Sequence, residues 1–189
     1  METRTIFFVG KPGCGKGTQA KLLSERTGWP VISSGEQFRA LSAADTQVGH
    51  KMKRELDAGM LMPHWFAMYL YLKSLFDLSE GASAIFDGFN RKVPEAELIV
   101  SSMQWLQRPF TIINVTISDE TMRQRLAGRH SKSNRADDDP SVFPERLKEY
   151  REFTEPAIEL FQKTGTVVEI DGEPAPEIIA AAIEGALKV

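Results

Sequence analysis

The sequence predicts an α/β fold in which a five-stranded parallel sheet is wound by helices. Three observations predict it. Five short runs rich in β-branched and aromatic residues fall at residues 5–9, 31–32, 84–87, 110–117 and 166–170, and the first is apolar almost without interruption, as in a strand buried on both faces. Each interval between runs contains at least one segment of helical length and pattern. The first run passes directly into a glycine-rich loop and the start of a helix, an arrangement that places ligands at the carboxyl ends of such a sheet.

In order along the chain, the first strand leads into Gly10-Lys11-Pro12-Gly13-Cys14-Gly15-Lys16-Gly17-Thr18. A helix is expected over 16–27, with Ala20, Leu22 and Leu23 inward and Gly28 as its stop. The short second strand ends at Ser33-Ser34-Gly35-Glu36, where Ser34 is the expected N-cap of a helix carrying Arg39 on its first turn. Another helix over 49–58 closes at Gly59. After Pro63 comes a helix over 64–77 whose Trp65, Phe66, Met68, Tyr69, Leu72, Leu75 and Phe76 read as core. The third strand ends in Asp87-Gly88-Phe89-Asn90-Arg91, and Pro94 opens a helix to about residue 106. The fourth strand is followed by a helix over 119–128 and then by a polar stretch, 129–140, expected as a surface loop or flap. A long helix over 144–163, the fifth strand, the turn Asp171-Gly172 and a helix over 176–188 complete the chain.

Composition narrows the class. With 189 residues, 26% charged and 42% hydrophobic, the chain suits one domain of ordinary globular type. A net charge of −3 argues against nonspecific binding to nucleic acid, which needs a basic excess. One cysteine, Cys14, excludes an internal disulfide and a four-cysteine zinc site. The amino-terminal run leaves no room for a signal peptide, and no apolar run approaches a membrane span. The expectation is a cytoplasmic enzyme that binds neither nucleic acid nor membrane.

The chemistry begins at the loop. Its glycines let backbone N–H groups turn inward around an anion, and the helix starting at Lys16 adds its positive end. Lys16 supplies a mobile charge for phosphates, while the hydroxyl usually found directly after that lysine to reach Mg²⁺ is displaced here to Thr18. Asp87, at a strand end, reads as a carboxylate for Mg²⁺ or its water shell, against the plainer reading of a turn cap. Arg39 and Arg91 lie past other strand ends. Arg125, Arg129, Arg135 and Arg146 flank the polar stretch and suit phosphoryl oxygens bidentately, whereas Arg123 and Arg151 read as solvated. Asp137, Asp138 and Asp139 either face solvent or orient these arginines. Cys14 reads as a small loop residue, and the three histidines show no ligand spacing. No general base is evident, which fits transfer to a phosphate acceptor whose oxygen is already ionised.

Taken together, these blocks resemble the adenylate kinases and their UMP-CMP kinase relatives over essentially the whole chain. The resemblance rests on the loop with Gly-Thr after its lysine; on Ser33-Ser34-Gly35-Glu36 with Arg39; on Asp57-Ala58-Gly59-Met60-Leu61-Met62; on Asp87-Gly88-Phe89-Asn90-Arg91; and on Gly128-Arg129, Arg135-Ala136-Asp137-Asp138 and Arg146-Leu147. It implies a P-loop NTPase-type sheet carrying two mobile parts, a monophosphate-binding helical segment at 33–62 and a short lid at 129–138 that lacks zinc. It implies reversible transfer from ATP, with Mg²⁺, to AMP, giving two ADP. Gly13, Cys14, Gly15, Lys16, Gly17 and Thr18 would hold the ATP phosphates, with Arg125, Arg129 and the backbone near Pro174 contacting ATP. Ser34, Arg39, Met60, Leu61, Met62, Gly88, Phe89, Asn90, Arg91 and Glu95 would form the AMP site. Arg135 and Arg146 would bridge donor and acceptor, completing a catalytic set with Lys16, Arg91 and Arg129. Thr18 and Asp87 would serve the metal, and the protein is expected to be a monomer.

Three positions depart from that family's pattern: Asn90 stands in place of Pro, His64 in place of Asp, and Glu95 in place of a base-reading Gln. An ionised Glu accepts from adenine N6 but donates nothing to N1. That change keeps kinases of GMP, CMP or UMP open as alternatives, while the Ser34 hydroxyl favours AMP. A nucleotide-binding protein without turnover is the remaining alternative, opposed by the full set of cations.

Overall fold

The computed structural model describes residues 4–133 and 136–189. Five parallel strands, β1 (Thr5–Gly10), β2 (Val31–Ser33), β3 (Ala84–Asp87), β4 (Phe110–Thr116) and β5 (Val167–Asp171), lie in the order β2-β3-β1-β4-β5. The central strand explains its own sequence. Ile6 and Phe8 enter one core with Ile85, Ile113 and Val115, while Phe7 and Val9 enter another with Phe86 and Ile112. Side chains alternate across a strand, so a strand covered on both faces must be apolar throughout.

Helices cover both faces. On one side α1 (Lys16–Thr27) packs against the last helix, α9 (Pro176–Leu187), through Ala20, Leu23, Ile179 and Ile183. Gln19 is buried beside them and Leu22 sits at the margin. Gly28, with φ near 75°, ends α1 in the left-handed turn that glycine adopts without strain. The opposite side carries α4 (His64–Phe76), α5 (Val93–Trp105) and α8 (Glu155–Lys163). Between them in sequence lie α2 (Ser34–Ser42), α3 (Gln47–Asp57), α6 (Asp119–Ser133) and α7 (Phe143–Glu149).

Four expectations are corrected. The N-cap of α2 is Ser33, whose hydroxyl accepts the Glu36 N–H, and Ser34 is already the first helical residue. The aromatic stripe of α4 is not core: Trp65, Tyr69 and Phe76 are 62%, 58% and 72% exposed, and Ala67, Leu70, Tyr71 and Leu75 form the buried face. This helix is apolar on nearly every side, so its sequence period does not say which face turns inward. The third correction lies at Gly128, which is passed in helical conformation, so that α6 continues to Ser133 and much of the expected flap is helix and tight 3₁₀ turns at Ala136–Asp138 and Pro140–Val142. Last, the helix over 144–163 carries a π-helical turn at Tyr150–Thr154 between α7 and α8.

Candidate active site

Strand register brings the functional ends together. Ser33 of β2 pairs beside Asp87 of β3, and Asp87 beside Phe8 of β1, two residues before the glycine-rich loop. The loop leaves β1 through Gly10, where an added Cβ would lie 2.3 Å from the Val115 carbonyl oxygen, so only glycine permits this approach to β4. Gly15, with φ near 99°, presents the start of α1 to open space, with no atom within 4 Å of where its Cβ would be. Exposed helix N–H groups facing such a space form an anion seat.

Lys16 is folded over this seat. Its Nζ donates to the carbonyls of Gly10 at 2.7 Å and Lys11 at 2.9 Å, and approaches Cys14 Sγ at 3.4 Å. Lys11 points elsewhere, to Asp119 Oδ1 at 2.6 Å and the Ile117 carbonyl, and so pins the loop to the start of α6. That contact holds the Asp119 carboxyl below the usual carboxylate range.

From the loop a cavity of about 890 Å³ extends to the 59–62 segment, a size suited to ligands of nucleotide dimensions. Of the residues expected from sequence, Gly13 through Thr18, Arg39, Met60, Leu61, Met62, Asp87, Gly88, Asn90, Arg91, Glu95, Arg125, Arg129, Arg146 and Pro174 all line it. Two do not. Ser34 is buried, with its hydroxyl donating to the Gly88 carbonyl at 2.8 Å, where it ties α2 to the β3 loop. Phe89 is packed in the core against Phe86. Arg135 lies outside the described residues.

Each cation has a defined position. Arg125 bridges the Cys14 and Glu173 carbonyls, spanning the phosphate loop and the turn before Pro174. Arg91 Nε donates to the Gly88 carbonyl at 3.0 Å. Arg129 grips Asp138 bidentately, and Arg146 donates to Asp138 Oδ1 at 2.7 Å and to the Asp137 carbonyl at 2.7 Å. The aspartates of this run therefore do orient arginines. Burial alone would raise the Asp138 carboxyl, but hydrogen bonding and charge from Arg129, with the charge of Arg146, outweigh it and hold it low.

The carboxylates divide by environment. Asp87 Oδ1 is buried without a hydrogen-bond partner among the described residues, and its Oδ2 lies 3.7 Å from where a Gly17 Cβ would be. An orphaned carboxylate oxygen beside the phosphate seat fits a hydrated Mg²⁺ carried by a phosphate ligand, since Mg²⁺ is usually held by one or two carboxylates plus phosphates. Glu95 is only 4% exposed. Burial pushes its carboxyl up to about 7 despite hydrogen bonds from the Arg91 and Lys92 N–H groups to Oε2, at 2.7 and 3.3 Å.

Sequence reasoning missed Glu149, Tyr150 and Thr154, which line the cavity from α7 and the π-turn. Glu149 Oε2 accepts the Leu61 N–H at 3.0 Å. An added Cβ at Gly59 would lie 2.8 Å from Arg146 Cγ, so the 59–62 segment rests directly on α7. No local motif marks these residues, because a π-turn inserts an extra residue per turn and rotates the faces of an otherwise ordinary helix.

A phosphate seat on one side and further arginines across the same cavity require two anionic ligands, one at each. Fold and site together define a P-loop phosphotransferase acting between nucleotide phosphates. The sequence model described as adenylate kinase matches residues 8–166. Three relatives, each named adenylate kinase, are similar over nearly their whole length. That of Maricaulis maris is 34% identical over 97% of this chain and 98% of its own, that of Hyphomonas neptunium 33% over 97% of both, and that of Caulobacter sp. strain K31 32% over 97% and 98%. The chain belongs to the adenylate kinase family, a family of ATP-dependent nucleoside monophosphate kinases.

Proposed function

We propose that this chain transfers the terminal phosphoryl group of ATP reversibly to AMP, giving two ADP. The observation that carries this reading is the joint lining of one cavity by the Gly13–Thr18 seat and by Arg39, Arg91, Arg129 and Arg146, in a protein whose net charge is negative. Cations gathered against the overall balance match two polyanionic substrates.

The roles follow from position. Backbone N–H groups of residues 13–18 bind the ATP phosphates, and Lys16 exchanges its loop carbonyls for phosphate oxygens. Arg125 and the backbone near Pro174 hold the rest of ATP. Arg39 and Arg91 fix the AMP phosphate, and the 59–62 segment and Glu95 enclose its base. Arg129 and Arg146 turn from Asp138 and Asp137 toward the transferring group and, with Arg135, neutralise its charge. Asp87 and Thr18 are the residues that would hold Mg²⁺ through its waters; when bound, the ion bridges and neutralises donor phosphate oxygens. The acceptor oxygen is already ionised, so positioning and charge neutralisation supply the catalysis without a general base. Movement of the 33–62 segment and the 129–138 lid over the cavity would exclude water and suppress hydrolysis. We assign the protein to the cytoplasm and to a monomeric state.

One specific observation favours a second reading. Glu95 in place of a base-reading amide suits a base edge that donates, as in GMP or CMP. A coupled assay with ATP, Mg²⁺ and AMP, GMP, CMP or UMP decides between them. We expect AMP to be used at least about tenfold better, in kcat/KM, than the others. Preference for another acceptor selects the second reading, and ADP from none of them overturns both.

A further inference from the structure

Asn90 occupies the loop between β3 and α5 at 1% exposure and lines the cavity. Neither Oδ1 nor Nδ2 of its amide has a hydrogen-bond partner among the described residues. A buried amide with both ends unmet is rare in a folded protein and expensive to maintain. Its only open side is the cavity, so the missing partner belongs to a ligand.

The neighbour of this amide is the Glu95 carboxylate. Asn90 is bonded to the Arg91 nitrogen whose N–H donates to Glu95 Oε2 at 2.7 Å, so the two side chains arise on adjoining parts of one wall. Oε2 also receives the Lys92 N–H, which leaves Oε1 as the atom facing a ligand. A carboxylate at Oε1 accepts and does not donate. Adenine presents an amino donor at N6 beside an acceptor at N1, and so needs one of each from the protein.

We infer that Asn90 reads the acceptor base: its amide Nδ2 donates to N1 of the AMP adenine while Glu95 Oε1 accepts from the N6 amino group. Two side chains thus share the donor and acceptor tasks that a single amide at position 95 performs alone. The occupation of Oε2 by backbone N–H groups also works against a carboxylate accepting two guanine donors at once. The inference rests on AMP being the acceptor.

The test uses 1-deaza-AMP, in which N1 is replaced by C–H, alongside AMP, at pH 8. At that pH Glu95, raised to about 7 by burial and faced by Arg91 and Lys92, is largely ionised and donates nothing. Wild-type enzyme should prefer AMP over 1-deaza-AMP by about tenfold in kcat/KM, the worth of one hydrogen bond to a buried group. In Asn90→Ala that preference should fall to about one, with KM for ATP unchanged. Adding Glu95→Gln to Asn90→Ala returns a donor to the wall and should restore the preference. If Asn90→Ala keeps the wild-type discrimination, the inference is overturned, and the same holds if wild type does not discriminate. Failure of wild type to use AMP at all is a different result and overturns the reading on which the inference rests. Ratios between two acceptors are insensitive to a partial loss of folded protein, and Asn90→Ser supplies the same comparison should the alanine variant fold poorly.

Discussion

A carboxyl group that prefers its proton inside the protein couples stability to pH. Glu95 is held at about 7 in the folded state against 4.5 for the freely solvated side chain, so between those values the folded protein retains a proton that the unfolded chain releases. Stability at this residue is therefore greatest below pH 4.5 and declines as pH rises to about 7, by up to about 3 kcal/mol. Glu95→Gln keeps an oxygen for the Arg91 and Lys92 N–H groups and carries no charge. Urea unfolding at pH 5 and pH 8 should find the variant's stability gain over wild type larger at pH 8 by about 2 kcal/mol. An equal difference at both pH values would contradict the buried-carboxyl account. The phosphate loop was legible at this scale because its information is contiguous: four glycines, a lysine and a hydroxyl in nine residues. Ser33 and Ser34 were not separable, since adjacent hydroxyls both satisfy the N-cap pattern and only the backbone turn decides which one caps.

Among the elements, the helix pair around the lid carries the largest concentration of buried charge. Asp138 is fully buried and joins Arg129 of α6 to Arg146 of α7. Removing one member of such a group leaves charges without compensation. Asp138→Ala should lower unfolding stability by about 3 kcal/mol, and activity should fall as well, because Arg129 and Arg146 lose the anchor from which they reach the phosphates. A variant with wild-type stability would mean that the aspartate does not hold the two elements together. This arrangement was only half legible: the alternation of arginine and aspartate suggested mutual orientation, but Gly128 read as a helix stop and concealed the continuation of α6. The α4 stripe was illegible for a different reason. An apolar helix has no polar face to report orientation, and the exposed residues differ from the buried ones only in register. Leu70→Ala should accordingly cost about 2–5 kcal/mol, whereas Trp65→Gln and Phe76→Lys should change stability by less than about 0.5 kcal/mol each. Large losses at Trp65 and Phe76 would show that this face is covered.

Across the whole molecule, strand order was implied by alternation of strands and helices, and the convergence of loops at the strand ends followed from it. The contributions of α7 and its π-turn did not follow, because nothing local in residues 144–163 announces that this helix forms a wall of the cavity. Their position has a consequence for the two halves of the reaction. On one side of α7, Arg146 holds Asp137 and Asp138 beside the lid; on the other, Glu149 holds the Leu61 N–H and Arg146 backs Gly59. A single rigid turn of helix is thus fastened to the parts that meet each substrate. If the lid's movement draws on Arg146, the acceptor segment is displaced with it, so occupation of one subsite alters affinity at the other, equally in both directions. Glu149→Gln, which weakens one fastening and leaves the phosphate-binding cations in place, should leave binding of either nucleotide alone within about twofold while reducing the enhancement of AMP binding by a nonhydrolysable ATP analogue about threefold or more. Calorimetric titrations with and without the second ligand measure both quantities, and an unchanged enhancement would assign the linkage elsewhere. Donor and acceptor would then be bound by a protein whose two grips share one axle, so that neither closes without loading the other.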